Sequence, residues 1–403
     1  MQKRNFLLSA LALAVSCQVT SALAQKKYDP GASDTEIKIG QTMPYSGPAS
    51  AYGVIGKVQA GYFKMINEQG GINGRKINFI SLDDGYSPPK TVEMVRRLVE
   101  QDEVLLLMNT LGTPSNTAIH RYVNSKKVPH LFLATGASKW NDPKRFPWTI
   151  GFNTNYHSEG MLYAKDILKN KPNAKIGVLV QNDDYGKDYL NGFKEGLGDK
   201  AKTMIISEVT YEVTDPTIDS QIVTLKGSGA DTFFNITTPK FAAQAIRKVD
   251  DIGWKPTHYL NQVSASIGSV LKPAGVEKAV GVISMQYIKD PTEKRWENDP
   301  TMKEFLAFMK KYVPDASPED ANTTYGYAVA QLMVHVLKQA GDNLTRENIM
   351  KVVSNIKNHQ IPMAIPGVLA NTAPDDFALF QMMQLIKFDG KTWLPYGEPT
   401  AVK

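Results

Sequence analysis

IKIGQTMPYSGPASAYGVIGKVQAGYFKMINEQGGINGRKINFISLDD, residues 37–84, reads strand, polar loop, helix, glycine turn, strand without interruption. Two strands joined through a helix form a βαβ unit and lie parallel in one sheet. The loop at 44–53 carries small residues, hydroxyls and two tyrosines, Tyr45 and Tyr52. It follows the carboxyl end of a parallel strand, which is where open α/β sheets bind ligands. Neither a nucleophile–base pair nor a metal-ligand cluster accompanies it. The expectation is capture of a small molecule, with no chemistry upon it.

The unit repeats along the chain. Ser87-Pro88 starts a helix, with Val92, Val95, Leu98 and Val99 at helical spacing on one face. Residues 104–108 read as a strand buried on both faces, followed by a helix at 117–125 and a strand at 128–133. A second series then begins. It has helices from His157, from Lys187, at 218–226 and at 239–252, alternating with strands at 175–180, 204–209, 232–236 and 257–260. After a strand at 280–285 the chain changes character. An irregular polar stretch (289–299) leads to a helix with the stripe Phe305, Phe308, Met309 and Tyr312, a long apolar helix at 321–340, and a third helix after Thr345. Residues 377–388 resemble edge strands before the turn signal Asp389-Gly390. By themselves these elements suggest two sequential α/β lobes with a helical tail.

Residues 1–24 read as a secretion signal. Lys3 and Arg4 are the basic start, 6–15 the apolar core, and Ala22-Leu23-Ala24 the cleavage site before Gln25. The apolar run is shorter than the roughly 20 residues that span a bilayer. The single cysteine, Cys17, falls inside it, behind Ala14-Val15-Ser16, a poor lipoprotein box. The mature chain would therefore have no thiol for a disulfide or for cysteine catalysis. Net charge is +6, and becomes +4 once Lys3 and Arg4 leave. Lysines are scattered, so no nucleic-acid footprint exists. Six dispersed histidines (His120, His130, His157, His258, His335, His359) offer no metal spacing, and no GxSxG elbow or triad is evident. No cofactor, no metal and no enzymatic activity are expected.

The opening unit, with Gly70-Gly71-Ile72-Asn73-Gly74-Arg75, then Asp183-Asp184-Tyr185-Gly186 and Tyr325-Gly326-Tyr327, resembles the branched-chain amino-acid (Leu/Ile/Val) type of periplasmic binding protein. These are the solute receptors of ABC importers. The resemblance implies the type I periplasmic binding protein fold: two doubly wound α/β lobes joined by a three-strand hinge. The implied N-terminal lobe is 35–153 and 283–364, and the C-terminal lobe 154–282 and 365–403. It further implies a periplasmic, monomeric receptor whose partner is an inner-membrane ABC permease.

Candidate site residues lie just past strand ends. Tyr52 and Tyr185 match tyrosines that contact ligand in the family, and Thr113 aligns with a serine that binds ligand carboxylate. Trp140, by contrast, is expected to pack against its own lobe. Ala134-Thr135-Gly136-Ala137-Ser138 lets a ligand approach the backbone and adds hydroxyls. In the family this loop (here Thr135, Gly136, Ala137 and Ser138) captures a carboxylate. Asp183, Asp184, Asp83 and Asp84 read as helix caps. One departure bears on the ligand. The stretches matching the family's ammonium site are Phe234-Asn235-Ile236-Thr237 and Asn261-Gln262-Val263-Ser264, and neither holds a carboxylate. A buried ammonium without an anionic partner costs several kcal/mol. Asn235 and Gln262, with an aromatic wall from Phe234 or Tyr287, suit a small carboxylate with an uncharged, aromatic or aliphatic body. A branched-chain amino-acid receptor with a rearranged ammonium site and a sensory ligand-binding module are the competing readings.

Overall fold

The computed structural model describes residues 26–401, so the signal reading of 1–24 and Cys17 lie outside the described residues. Two sheets organise the chain. The first has five strands, all parallel, in the order Lys76–Asp83, Glu36–Met43, Leu106–Met108, His130–Leu133, Thr149–Gly151. The second has eight. Its parallel part runs Ile205–Tyr211, Ile176–Gln181, Thr232–Ile236, Thr257–Leu260, Ile283–Gln286. Met382–Phe388 then adds antiparallel, followed by Trp393–Pro395, with Thr400–Ala401 at the far end. In each lobe the first strand lies between the second and third, the doubly wound order. Winding reverses beside that strand and leaves a crevice at the carboxyl ends.

Helices cover both faces of these sheets. Pro88–Glu100 begins with two prolines, whose fixed φ suits a first turn, and buries Thr91, Val95 and Leu98. The helix expected at 117–125 starts earlier, at Thr113, because Pro114 is tolerated in a first turn too. In the second lobe Tyr156–Asn170 and Asp184–Leu197 touch backbone to backbone. A Cβ on Gly160 would lie 2.4 Å from the Tyr189 carbonyl oxygen, and one on Gly192 1.9 Å from that of His157. The later helices return to the first lobe. Tyr327 of Ala321–Ala340 and Phe308 of Pro300–Tyr312 pack on Tyr62 of Val54–Glu68, at 4.9 and 6.0 Å between ring centroids.

Two expected lobe boundaries are corrected. Strand Ile283–Gln286 belongs to the second sheet, because Ile283 pairs with Tyr259 on one side and Lys387 on the other. The crossing follows that strand, at 287–290. Residues 365–376 stay with the first lobe. Thr372 bonds Val353 and Ile356 there, and Asp376 and Phe377 bond Asn141. The chain thus leaves the first lobe beside Phe380, not at 364.

The crossing segments are fastened to one another. Ile288 and Ala364 form an antiparallel bridge, Lys289 N–H donates to the Met363 carbonyl at 2.9 Å, and Ile365 N–H donates to that of Tyr287 at 3.0 Å. The Phe380 ring meets Phe152 and Tyr287 at 5.2 Å each, so one aromatic cluster joins all three crossings.

Candidate ligand-binding cleft

The carboxyl ends of the two sheets face each other across a cavity of about 610 Å³, a volume that includes its open mouth. The first lobe contributes Tyr52, Tyr86, Thr113, Asn153, Asn322 and Tyr325; the second contributes Tyr156, Tyr185, Thr238, Gln262 and Ser266. No charged side chain of the described residues lines it. Burial pushes the Tyr52, Tyr86 and Tyr185 hydroxyls well above the ordinary phenol range, with smaller contributions from neighbouring tyrosines and, at Tyr86, from Asp183, so these hydroxyls stay neutral.

Helix Thr113–Ser125 presents its N-terminus to this cavity. First-turn N–H groups have no intrahelical acceptor, and the helix dipole favours an anion there. Gly112 makes the approach possible. Its φ is +96°, and a Cβ would lie 2.5 Å from the Tyr86 ring. Tyr86 itself sits at φ 60°, its N–H held by Asp84 at 3.0 Å, and Asp84 also accepts from Thr91 at 2.8 Å.

The expected site residues divide. Tyr52, Thr113, Tyr185 and Gln262 line the cavity. The Tyr185 ring does so while its hydroxyl is satisfied inside the lobe, donating to the Thr237 carbonyl at 3.0 Å and accepting from Asn261 at 2.7 Å. Thr135, Gly136 and Ala137 line a smaller neighbouring cavity that shares Asn153 with the main one. The Thr135 hydroxyl is 2.6 Å from that of Thr113 and accepts from Trp140, whose ring is buried in its own lobe. Ser138 bonds across the lobes to Asp188, through N–H at 2.8 Å and hydroxyl at 2.6 Å.

Three expected residues point elsewhere. Phe234 packs in the second-lobe core against Phe193 at 4.7 Å. Asn235 is fully buried and spends its amide on His258 and Thr237. Tyr287 lies in the hinge cluster. None of the three lines the cavity: Phe234 and Asn235 sit on a strand covered on both faces, which sends its side chains into the lobe, and Tyr287 lies in the crossing beyond its strand. Of the acidic pairs, Asp183 caps helix Asp184–Leu197 through the Gly186 N–H, whereas Asp184 bridges to Lys139 of the other lobe at 2.6 Å.

Sequence reasoning missed Tyr86, Tyr156, Asn153, Ser266 and Asn322, and read Tyr325 only as part of a motif. It also missed Glu159. This carboxylate is fully buried beneath the cleft and accepts from Tyr163 at 2.8 Å, Tyr189 at 2.7 Å and the Gln262 N–H at 2.8 Å. Burial pushes its pKa up to about 7 despite these donors. Glu159 thereby holds the loop that carries Gln262 into the cleft.

The lobes meet in a closed arrangement. Beyond the Ser138–Asp188 and Lys139–Asp184 contacts, Tyr52 donates to the Val263 carbonyl at 3.1 Å, and Ser266 donates to Asp320 at 2.8 Å. The family model described as periplasmic binding protein matches residues 36–390. The chain belongs to that family.

Members of the family are solute-binding proteins of the periplasm, and the resemblance to the Leu/Ile/Val type holds across the chain. The Leu/Ile/Val-binding protein homolog 1 of Brucella suis biovar 1 is 25% identical over 329 residues, covering 79% of this chain and 82% of the relative. An amino acid binding protein of Pseudomonas aeruginosa is 23% identical, covering 90% and 91%. Among solved structures, a branched-chain amino acid ABC transporter protein from Thermus thermophilus with bound valine superposes with a TM-score of 0.82. It is 16% identical, with 91% and 97% covered. A fatty acid ABC transporter substrate-binding protein from Thermomonospora curvata gives 0.79 at 22% identity, with 94% and 95% covered. These likenesses establish the type I periplasmic binding protein fold.

Proposed function

We propose that this protein is the periplasmic receptor of an ABC importer, acting as a monomer without catalysis. It would close on a small carboxylate-bearing solute with an uncharged, aromatic or aliphatic body and present it to an inner-membrane permease. The observation that carries this reading is a cleft walled by tyrosines and neutral hydrogen-bonding groups, with a helix N-terminus at one end. Several neutral donors can hold a carboxylate ionised without a counter-charge. Tyrosine faces suit an apolar or aromatic body. Closure follows if the solute bonds both lobes at once, since a ligand shifts the equilibrium by its differential affinity for the two forms.

A branched-chain amino acid is the second reading, favoured by what the relatives are named for. Its ammonium would rest on neutral oxygens alone in this cleft, an arrangement that costs several kcal/mol. Thermal unfolding with leucine, valine, benzoate-type, phenylpropanoid and short aliphatic acids separates the two. A solute at 100 times its Kd adds about 2.7 kcal/mol. A large shift with leucine or valine and none with the deaminated acids reverses the preference. A shift untouched by both Tyr52→Ala and Tyr185→Ala removes the cleft from the mechanism.

A further inference from the structure

The cleft does not end at Gln262 and Tyr325. On the hinge side lies a second, small chamber, about 400 Å³ when its opening to solvent is included, lined by Met285, Gln286, Lys289, Asp290 and Trp393 among others. Gln262, Ala321 and Tyr325 line both spaces, so these side chains form the partition between them. Tyr325 is fixed, donating to Asn153 at 2.7 Å and accepting from Asn109 at 3.0 Å. Gln262 is anchored through its main chain, the N–H donating to Glu159 and the carbonyl accepting from Ala265 at 2.9 Å, and its side chain makes no hydrogen bond to another described residue. A partition with one unanchored side chain opens by a rotamer change.

The chamber carries polar groups that the fold leaves unused. Gln286 is 5% exposed, and its amide nitrogen has no hydrogen-bond partner among the described residues, which is costly for a buried donor when nothing fills the gap. Asp290 is equally buried and accepts only from the Thr292 N–H and hydroxyl, both at one oxygen. It joins no ion pair among the described residues, since Lys289 beside it turns to Asp299 at 2.8 Å and lies over the Trp296 ring. Burial pushes the Asp290 acid up to about 6, as befits a buried carboxylate that no cation bonds.

From these groups we infer that the chamber is a second subsite of the cleft, taking the ammonium or amide end of an elongated carboxylate whose acid end lies at the Thr113 helix terminus. Asp290 accepts from that end, and Gln286 donates to any oxygen it carries. The inference rests on the carboxylate reading of the main cleft. It supplies an anionic partner for a cationic group one chamber away from where the family resemblance looked for one.

The test compares two probe series by thermal unfolding and calorimetry: the straight-chain acids from butanoate to decanoate, and the same acids carrying a terminal amine. At one or more chain lengths the amine-bearing acid should bind more tightly than its plain counterpart. Asp290→Asn should cut that preference, taken as a ratio of affinities, by about tenfold. Gln286→Leu removes a donor that holds nothing in the fold; an ammonium has no acceptor for it, so this variant should leave the amine preference unchanged and cut severalfold the affinity of the same acids carrying a terminal amide. Plain acids that bind with no amine preference at any length overturn the subsite and leave the cleft reading standing, as does an amine preference that survives Asp290→Asn together with an amide affinity that Gln286→Leu leaves unchanged. No shift from either series overturns both.

Discussion

The Tyr52 hydroxyl of the first lobe donates to the main-chain oxygen of Val263 in the second, 3.1 Å away, while its ring lines the cleft between them. One side chain thus serves as both wall and latch. Tyr52→Phe keeps the wall and removes the latch, leaving the Val263 oxygen without that donor. A net hydrogen bond of about 1 kcal/mol favours closure here. Apparent affinity for any solute that binds the closed form should fall about fivefold. Calorimetry reads the affinity, and small-angle scattering should show a larger open fraction at subsaturating solute.

Asp188 receives both the N–H and the hydroxyl of Ser138 from across the gap. Asp188→Asn removes the charge that strengthens the two bonds and turns one acceptor into a donor. Closure should weaken by about 1 kcal/mol, because the contact is partly open to solvent. The lost portion should shrink in high salt, which separates it from the Tyr52 effect when affinities are measured across a salt series.

Glu159 makes a pH prediction with a defined sign. Its folded pKa of about 7 lies above the ordinary carboxyl value of 4.5, so the folded chain holds a proton that the unfolded chain has released. Its contribution is therefore fully present below about pH 4.5 and is lost as pH rises through about 7. The span corresponds to about 3 kcal/mol. The buried histidines His130 and His258, both held near 3, act in the opposite sense, losing stability as pH falls below the ordinary 6.5. Glu159→Gln cancels their effect in the comparison. The wild-type chain should gain on this variant as pH is lowered from about 7 to 4.5, and a flat difference in chemical denaturation would refute the assignment.

Gly192 sits where a methyl group would lie 1.9 Å from the His157 carbonyl oxygen. Gly192→Ala must push apart the helices Tyr156–Asn170 and Asp184–Leu197, at a cost of about 1–3 kcal/mol. Because Tyr156 and Tyr185 start those two helices and face the cleft, the variant should lose affinity as well as melting temperature. Gly227, with open space around its position, is the control at which alanine should cost little.

Strand–helix alternation was legible because each parallel strand is a short apolar run and each helix shows its buried stripe. The same property hid part of the site. In Thr232–Ile236 every residue is buried, so no periodicity told that Phe234 faces the lobe interior and that Asn235 meets His258. Tyr86 escaped notice because the acidic pair before it reads as a cap, although Asp84 is what poses the tyrosine. Ser266 and Asn322 belong to different lobes and meet only across the cleft, a relation carried by long-range packing. Strand Ile283–Gln286 was assigned to the wrong lobe because a crossing leaves no local mark on composition. Its partners, Tyr259 and Lys387, lie far apart in sequence.

The cluster of Phe152, Tyr287 and Phe380 has a mechanical outcome. Three connectors pinned ring to ring resist sliding past one another, so relative motion of the lobes should be a swing pivoting at that cluster in place of a shear. Solutes of different shape would then stop the swing at different angles without tilting its axis, and whatever docks on the outer rim meets a single family of profiles.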